Sequence, residues 1–143
     1  MNREELKQLL PHREPMLLVD RAELREQKAF GEKAITGEEW FLKGHFPGNP
    51  VVPGAILCEI IAQSACVCLT DQMEQGWTPM FTGLDRVKFR HPVVPGDLVE
   101  TECEITRAKH PFYFAKGKAT VGGKLCASAE FSFVLTDRKE RVK

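Results

Sequence analysis

With 143 residues, 43% of them hydrophobic and 28% charged, the chain has the length and make-up of one globular domain with a substantial core. Acidic and basic residues cancel to a formal net charge of +0, with a pI near 6.9, so no basic excess exists to grip a phosphate backbone and nucleic acid is not an expected partner. Near-zero charge gives little colloidal repulsion, which leaves self-association open.

The opening MNREELKQLL is charged and amphipathic, without the apolar core and small-residue cleavage site of a secretion signal. Residues 3–9 read as a short helix stopped by Pro11. MLLVDR at 16–21 reads as a strand, and Ala29 to Thr36 as a second. Phe41 to Gly54 holds too many prolines and glycines for regular structure and reads as a constrained loop. A long helix is predicted from Gly54 to about Gln75, with Pro53 at its start, where proline is tolerated, and Gly76 as its stop. Its first turns are apolar almost all round, so burial on most sides is expected. The greasiest run, Ala55 to Leu69, carries Glu59, Gln63 and Ser64 and is too short and polar to suit a bilayer. No membrane insertion and a cytoplasmic location are therefore expected.

The remainder alternates with period two. Met80 to Arg90 is a strand ending at the turn HPVVPGD. In DLVETECEIT at 97–106, Val99, Thr101, Cys103 and Ile105 face one way, and Glu100, Glu102, Glu104 and Thr106 the other. Phe112 to Val121 and Lys124 to Leu135 repeat the pattern around Gly122-Gly123, a hairpin signal. A turn near Lys109 would set Glu102 opposite Lys116 and Glu100 opposite Lys118. The tail DRKERVK, 137–143, is charged and expected to fray. One buried helix with five or six mostly antiparallel strands makes an α+β fold, a sheet curled round the helix, in a single domain over 1–143. Neither an internal repeat nor a linker is visible.

The cysteines are Cys58, Cys66, Cys68, Cys103 and Cys126. Their odd number and the lack of CxxC favour reduced structural thiols over disulfides or a zinc site. His12, His45, His91 and His110 lack metal-ligand spacing, so no metal is expected, and GxSxG and HExxH are absent. Glu59 stands out because a carboxylate on an apolar helix is costly unless paired or neutralised. Burial would raise its pKa and let it serve as a general acid; a Glu held by backbone donors, or turned to the surface, is the alternative. Gln63 lies one turn on, on the same face. His45 sits in GHFPG, a rigid setting for a neutral-pH base, or else simply caps a turn. Gly54 opens the helix, so its N–H has no intrahelical acceptor and can polarise a carbonyl. An acid, a base and an oxyanion donor beside a greasy wall describe removal of a proton next to a carbonyl with loss of a β leaving group.

Three blocks carry a resemblance. PHREPMLLVDR (11–21), GHFPGNPVVPGAILCEIIAQ (44–63) and FTGLDRVKFRHPVVPGD (81–97) resemble the signatures of the FabZ family, the 3-hydroxyacyl-[acyl-carrier-protein] dehydratases of bacterial type II fatty-acid synthesis. The resemblance covers nearly the whole chain. It implies a hot-dog fold and homodimers with joined sheets, often three to a hexamer, in which the loop His of one subunit meets the helix Glu of the other. It implies that His45 takes the α-proton and Glu59 protonates the leaving hydroxyl. The Gly54 N–H would hold the thioester carbonyl, the Val51 carbonyl would fix the His45 tautomer, and Phe46 and Gln63 would help shape the tunnel. No cofactor is implied beyond the phosphopantetheine arm of acyl carrier protein. The sister dehydratase-isomerases carry Asp where Glu59 stands, though some Glu-bearing relatives also isomerise; a hot-dog thioesterase and a non-catalytic acyl-binding subunit are the remaining alternatives. RAKHPFYFAKGK at 107–118 is more aromatic than the family pattern, through Phe112, Tyr113 and Phe114, which suits packing of the sheet, an altered tunnel being the alternative. An acidic carrier protein calls for a basic docking patch, with Arg86, Lys88, Arg90, Lys109, Lys116 and Lys118 as candidates. Each reads equally as part of a solvated strand face.

Overall fold

The computed structural model of the chain describes residues 1–137, so 138–143 of the expected frayed tail lie outside the described residues. In chain order the elements are α1 (Arg3–Leu9), β1 (Arg21–Arg25), β2 (Lys28–Ala34), α2 (Gly54–Ala65), α3 (Thr70–Glu74), β3 (Trp77–Phe89), β4 (Leu98–Lys109), β5 (Phe112–Val121) and β6 (Lys124–Asp137). The strands form one six-stranded sheet in the order β1-β2-β4-β5-β6-β3, antiparallel throughout. Helix α2 packs across β4, β2, β5 and β6. This is the hot-dog architecture, an α+β fold with the sheet as wrapper and α2 as filling.

Alternation explains the wrapping. Val99, Thr101 and Cys103 of β4, Tyr113, Ala115 and Ala119 of β5, and Ala129, Phe131, Phe133 and Leu135 of β6 are all buried. Small residues stand where the helix comes closest. A Cβ on Gly117 would strike Ile61 of α2 and the Cys103 sulfur, and one on Gly31 would strike the Ser64 and Thr101 hydroxyls. Those hydroxyls hydrogen-bond each other at 2.8 Å, and Ser64 donates on to the Ile60 carbonyl at 2.9 Å.

From Gly54 to Glu74 the backbone is helical over 21 residues, with a 3₁₀ turn at Cys66–Leu69 between α2 and α3. At mean hydropathy 1.4 this helix is long and apolar enough to cross a bilayer by composition, contrary to the sequence expectation. Yet 61% of its apolar window is buried inside the fold, as in a core helix.

Two further expectations change, and one turn goes unannounced. MLLVDR is not a strand: β1 starts only at Arg21, because backbone groups of 16–19 are taken by the Arg13 carbonyl and by side chains rather than by a neighbouring strand. β1 turns into β2 through Glu26 and Gln27, both at positive φ (49° and 68°), a tight turn that no Asn or Gly announces. The ion pairs slip by two residues, Lys116 pairing with Glu104 at 3.1 Å and Lys118 with Glu102 at 3.6 Å. The hairpin closes at Lys109↔Phe112, beyond the expected turn, and a bulge between Ile105 and Arg107 absorbs the odd residue. The loop before α2 also holds one 3₁₀ turn, Trp40–Leu42, which buries Phe41 and Leu42.

The tight seat at Gly117 makes a test. Gly117→Ala is expected to destabilise by about 1–3 kcal/mol through overpacking against Ile61 and Cys103. Thermal unfolding would then show a Tm lower by roughly 4–10 °C; an unchanged Tm would mean that the sheet can flatten away from the helix.

Candidate active site

Glu59 lies on α2 facing a cavity of about 60 Å³, lined by His12, Glu59, Ala62, Gln63, Cys66, Pro79, Phe81, Phe131 and Phe133. This wall is apolar and aromatic apart from His12, Glu59 and Gln63. Burial raises the Glu59 pKa above the ordinary 4.5, and a hydrogen bond from the Gln63 side chain opposes the rise without cancelling it. The carboxyl therefore keeps its proton to higher pH than a solvated Glu, which is the property of a general acid. Gln63 is 1% exposed. Its Oε1 accepts from the Leu18 N–H at 2.9 Å and its Nε2 donates to the Met16 carbonyl at 2.7 Å.

His45 stands in the loop before α2. Its Nδ1 lies 2.9 Å from the Val51 carbonyl oxygen. A carbonyl can only accept, so Nδ1 carries the hydrogen and Nε2 keeps the lone pair of a base. The ring is stacked on exposed Phe46 with centroids 4.3 Å apart, and the loop is closed by Val51 N–H donating to the His45 carbonyl at 2.8 Å. Gly54 is the first residue of α2, and Pro53 before it offers no side-chain cap. The Phe89 ring lies where a Cβ on Gly54 would fall, so only glycine admits that ring, or a ligand, to the helix tip.

Gln63 thus joins Glu59, and Val51 joins His45, but the two groups are not brought together: His45 and Phe46 are not among the residues lining the Glu59 cavity. The sequence reading missed the rest of that cavity. Phe131 and Phe133 arrive from β6, far along the chain. His12 belongs to the first signature block, yet only packing shows that it lines the cavity Glu59 faces; its Nδ1 is buried without a hydrogen-bond partner among the described residues, and burial lowers its pKa. Cys66 also lines the cavity, its pKa pushed up to about 12, chiefly by burial. All five cysteines are free, and the described residues contain no cluster able to hold a metal.

Of the docking candidates, Arg86 pairs with Glu130 at 3.2 Å, and Lys116 and Lys118 pair with Glu104 and Glu102 on the outer sheet face. There a groove of about 450 Å³ mixes Lys28, Arg86, Lys88, Lys116 and Lys118 with Glu102, Glu104 and Glu130. Lys88, Arg90 and Lys109 are exposed, and the first two flank Phe89.

A sheet wrapped on a helix that bears a desolvated carboxyl, preceded by a loop imidazole, defines the dehydratase class of hot-dog proteins. Residues 10–130 match the FabA-like domain model. The chain belongs to this family, and within it to the FabZ 3-hydroxyacyl-[acyl-carrier-protein] dehydratases: proteins of that name from Clostridium perfringens (strain SM101) and Moorella thermoacetica are 42% and 44% identical to it. The first match covers 94% of this chain and 99% of the relative, the second 92% and 94%. Among solved structures, the dehydratase heterocomplex ApeI:P from Xenorhabdus doucetiae superimposes with TM-score 0.82 at 16% identity, over 96% of this chain and 94% of that one. The PaaI protein of the E. coli phenylacetic acid degradation operon gives TM-score 0.64 at 14% identity, over 81% and 82% of the two chains. At such identities the likeness is one of fold.

The raised Glu59 pKa has a consequence for stability. In the unfolded chain this carboxyl titrates near 4.5, so well below that pH it is protonated in both states and contributes no pH-dependent term. As pH rises past 4.5 the unfolded state ionises first, and the native state is increasingly disfavoured until pH passes the folded pKa. Glu59→Gln, which cannot ionise, is expected to raise Tm at pH 8 by about 2–4 °C and to leave it near the parent value at pH 4. Equal effects at both pH values would place the carboxyl in solvent.

Proposed function

We propose that the chain dehydrates 3-hydroxyacyl-[acyl-carrier-protein] to trans-2-enoyl-[acyl-carrier-protein] in fatty-acid synthesis, with His45 and Glu59 as its catalytic pair. The observation that carries this reading is the desolvated Glu59 carboxyl in a chain belonging to the FabZ dehydratases. The Gly54 N–H holds the thioester carbonyl and draws electron density from Cα. His45 Nε2 takes the α-proton while Nδ1–H stays on the Val51 carbonyl. The C–O bond at Cβ breaks, and Glu59 gives its proton to the departing hydroxyl, which leaves as water. Electrons from the C–H bond form the new double bond; returning the proton from His45 to Glu59 through that water resets the pair. No redox step occurs and no cofactor enters beyond the phosphopantetheine arm that carries the substrate.

The single chain keeps His45 out of the Glu59 cavity, so the working site needs a second copy. The surface that suits it is the free edge β3, where Met80, Phe81, Leu84 and Phe89 are 42%, 47%, 51% and 54% exposed. A homodimer joined there, and a trimer of such dimers, is the assembly proposed, each copy being one domain in the cytoplasm. For the acyl carrier protein, Lys88 and Arg90 beside Phe89 are the docking candidates nearest the Gly54 helix tip, whereas Arg86, Lys116 and Lys118 are already engaged by carboxylates. The cavity aromatics Phe81, Phe131 and Phe133 would meet the acyl chain.

A mixing experiment tests the pair and its crossing together. His45→Ala and Glu59→Gln alone are each expected to lower turnover of a 3-hydroxyacyl thioester at least roughly 100-fold, read as conjugated enoyl absorbance. Co-expressed, the two variants are expected to recover about a quarter of the parent activity, because half of the dimers are mixed and each mixed dimer holds one intact site. No recovery would place both groups in the same chain's site. Thiol release in place of enoyl product would make the protein a thioesterase, and 3-enoyl product would add an isomerase.

A further inference from the structure

The strap between α1 and β1 carries an unusual hydrogen-bond arrangement. Leu17, Leu18 and Val19 are buried at 1%, 3% and 0% exposure, yet no strand pairs with them. The Met16 and Leu17 N–H groups donate to the Arg13 carbonyl at 2.7 and 2.9 Å, and side chains from three other places take further backbone groups of the strap. Trp40 Nε1 donates to the Pro15 carbonyl at 2.9 Å. Gln63 takes the Met16 carbonyl and the Leu18 N–H at 2.7 and 2.9 Å. Arg3 Nη2 and Nη1 donate to the Leu17 and Val19 carbonyls at 2.6 and 3.2 Å. Arg3 is itself fixed by Glu14 at 3.1 Å and Asp20 at 3.3 Å.

This arrangement settles the Gln63 side chain. Its oxygen must face the Leu18 N–H and its nitrogen the Met16 carbonyl, so the remaining N–H is the one left for Glu59, which stands one helical turn earlier on the wall of the same cavity. At the other end, Trp40 begins the 3₁₀ turn whose Leu42 carbonyl accepts from the His45 N–H at 3.1 Å. One strap therefore touches the anchor of the base and the anchor of the acid.

We propose that residues 15–19 form a positioning strap: Arg3 and Trp40 hold it, it fixes the Gln63 carboxamide, and Gln63 aims the Glu59 carboxyl at the substrate hydroxyl. Gln63, Arg3 and Trp40 are positioning residues, acting through Glu59 and the His45 loop. The inference rests on the dehydratase reading above.

The test is the pH dependence of kcat/KM for a 3-hydroxyacyl N-acetylcysteamine thioester, measured with kcat, KM and Tm on the full-length protein. A general acid works protonated, so activity falls as pH rises through the Glu59 pKa. Gln63 favours the ionised carboxylate, so its loss raises that pKa and moves the alkaline limb upward. The other titratable groups around the carboxyl are His12, Cys58 and Cys66; burial keeps the imidazole neutral and the thiols protonated. Gln63→Leu is expected to lower kcat roughly 100-fold, to change KM less than about threefold, and to shift the alkaline limb to higher pH. Arg3→Met, which touches the strap and not Glu59, is expected to cost about tenfold in kcat with a smaller shift of the same limb, and Arg3→Lys to recover part of both. If Gln63→Leu does not fold, the two Arg3 variants decide alone. A folded Gln63→Leu with the parent's alkaline limb, or an Arg3→Met that loses Tm yet keeps kcat and limb, would overturn the strap while leaving the dehydratase reading intact. A parent protein that forms no enoyl product would instead remove the reading on which the strap rests.

Discussion

Everything near the site follows from one constraint: an ionisable carboxyl must sit in an apolar wall and remain chemically available. Water cannot solvate Glu59 fully, and among the described residues the cavity lining holds no lysine or arginine; it offers instead an imidazole whose pKa burial lowers, a thiol and a carboxamide. A lysine or arginine there would hold the carboxylate ionised and end its use as a proton donor. A single neutral donor, Gln63, restrains the group without discharging it. Burying that donor in turn requires partners for its own polar ends, and the chain supplies them from the strap at 16–18. The polar chemistry of the core thus spreads outward from a single carboxyl until it reaches Arg3, which is partly exposed and ion-paired.

The sheet serves the same end by being rigid and close. Gly31 and Gly117 let two strands approach α2 to within a methyl group's reach, which fixes the helix against sliding or turning. Rotating α2 by even part of a turn would carry Glu59 away from its cavity and Gln63 away from the strap. The outer face carries no such demand. There Lys116, Lys118 and Arg86 are matched one to one by Glu104, Glu102 and Glu130, which satisfies the strands locally.

How far the sequence discloses this can be judged residue by residue. The helix from Gly54 was legible because Pro53, an apolar run and Gly76 mark it, and the period of two marked β4, β5 and β6. Gln63 was legible as the neighbour of Glu59, since a spacing of four is one helical turn. The strap was not. MLLVDR has the composition of a strand, and nothing local tells that its partners are side chains from residues 3, 40 and 63. The pairing of Lys116 and Lys118 was misplaced because a bulge leaves no mark in a hydrophobic pattern. The Glu26-Gln27 turn was hidden by the absence of Asn or Gly. Phe131 and Phe133 read only as alternate residues of a late strand; that they close the Glu59 cavity is a fact of topology, since β6 lies between β5 and β3 in the sheet.

The cavity's thiol bears on the proposed product. A trans-2-enoyl thioester is an electrophile, and a thiolate within reach of it would add at Cβ and block the site. Cys66 lines the same cavity as Glu59 and would be such a nucleophile if it ionised. Burial and the neighbouring carboxyl push its pKa up to about 12, so near neutral pH it stays a thiol. The dryness that raises the Glu59 pKa raises that of Cys66 as well. A single property of the wall would then serve the proposed proton donor and spare the proposed product, so that a cysteine can stand there without competing with the chemistry proposed for its neighbour.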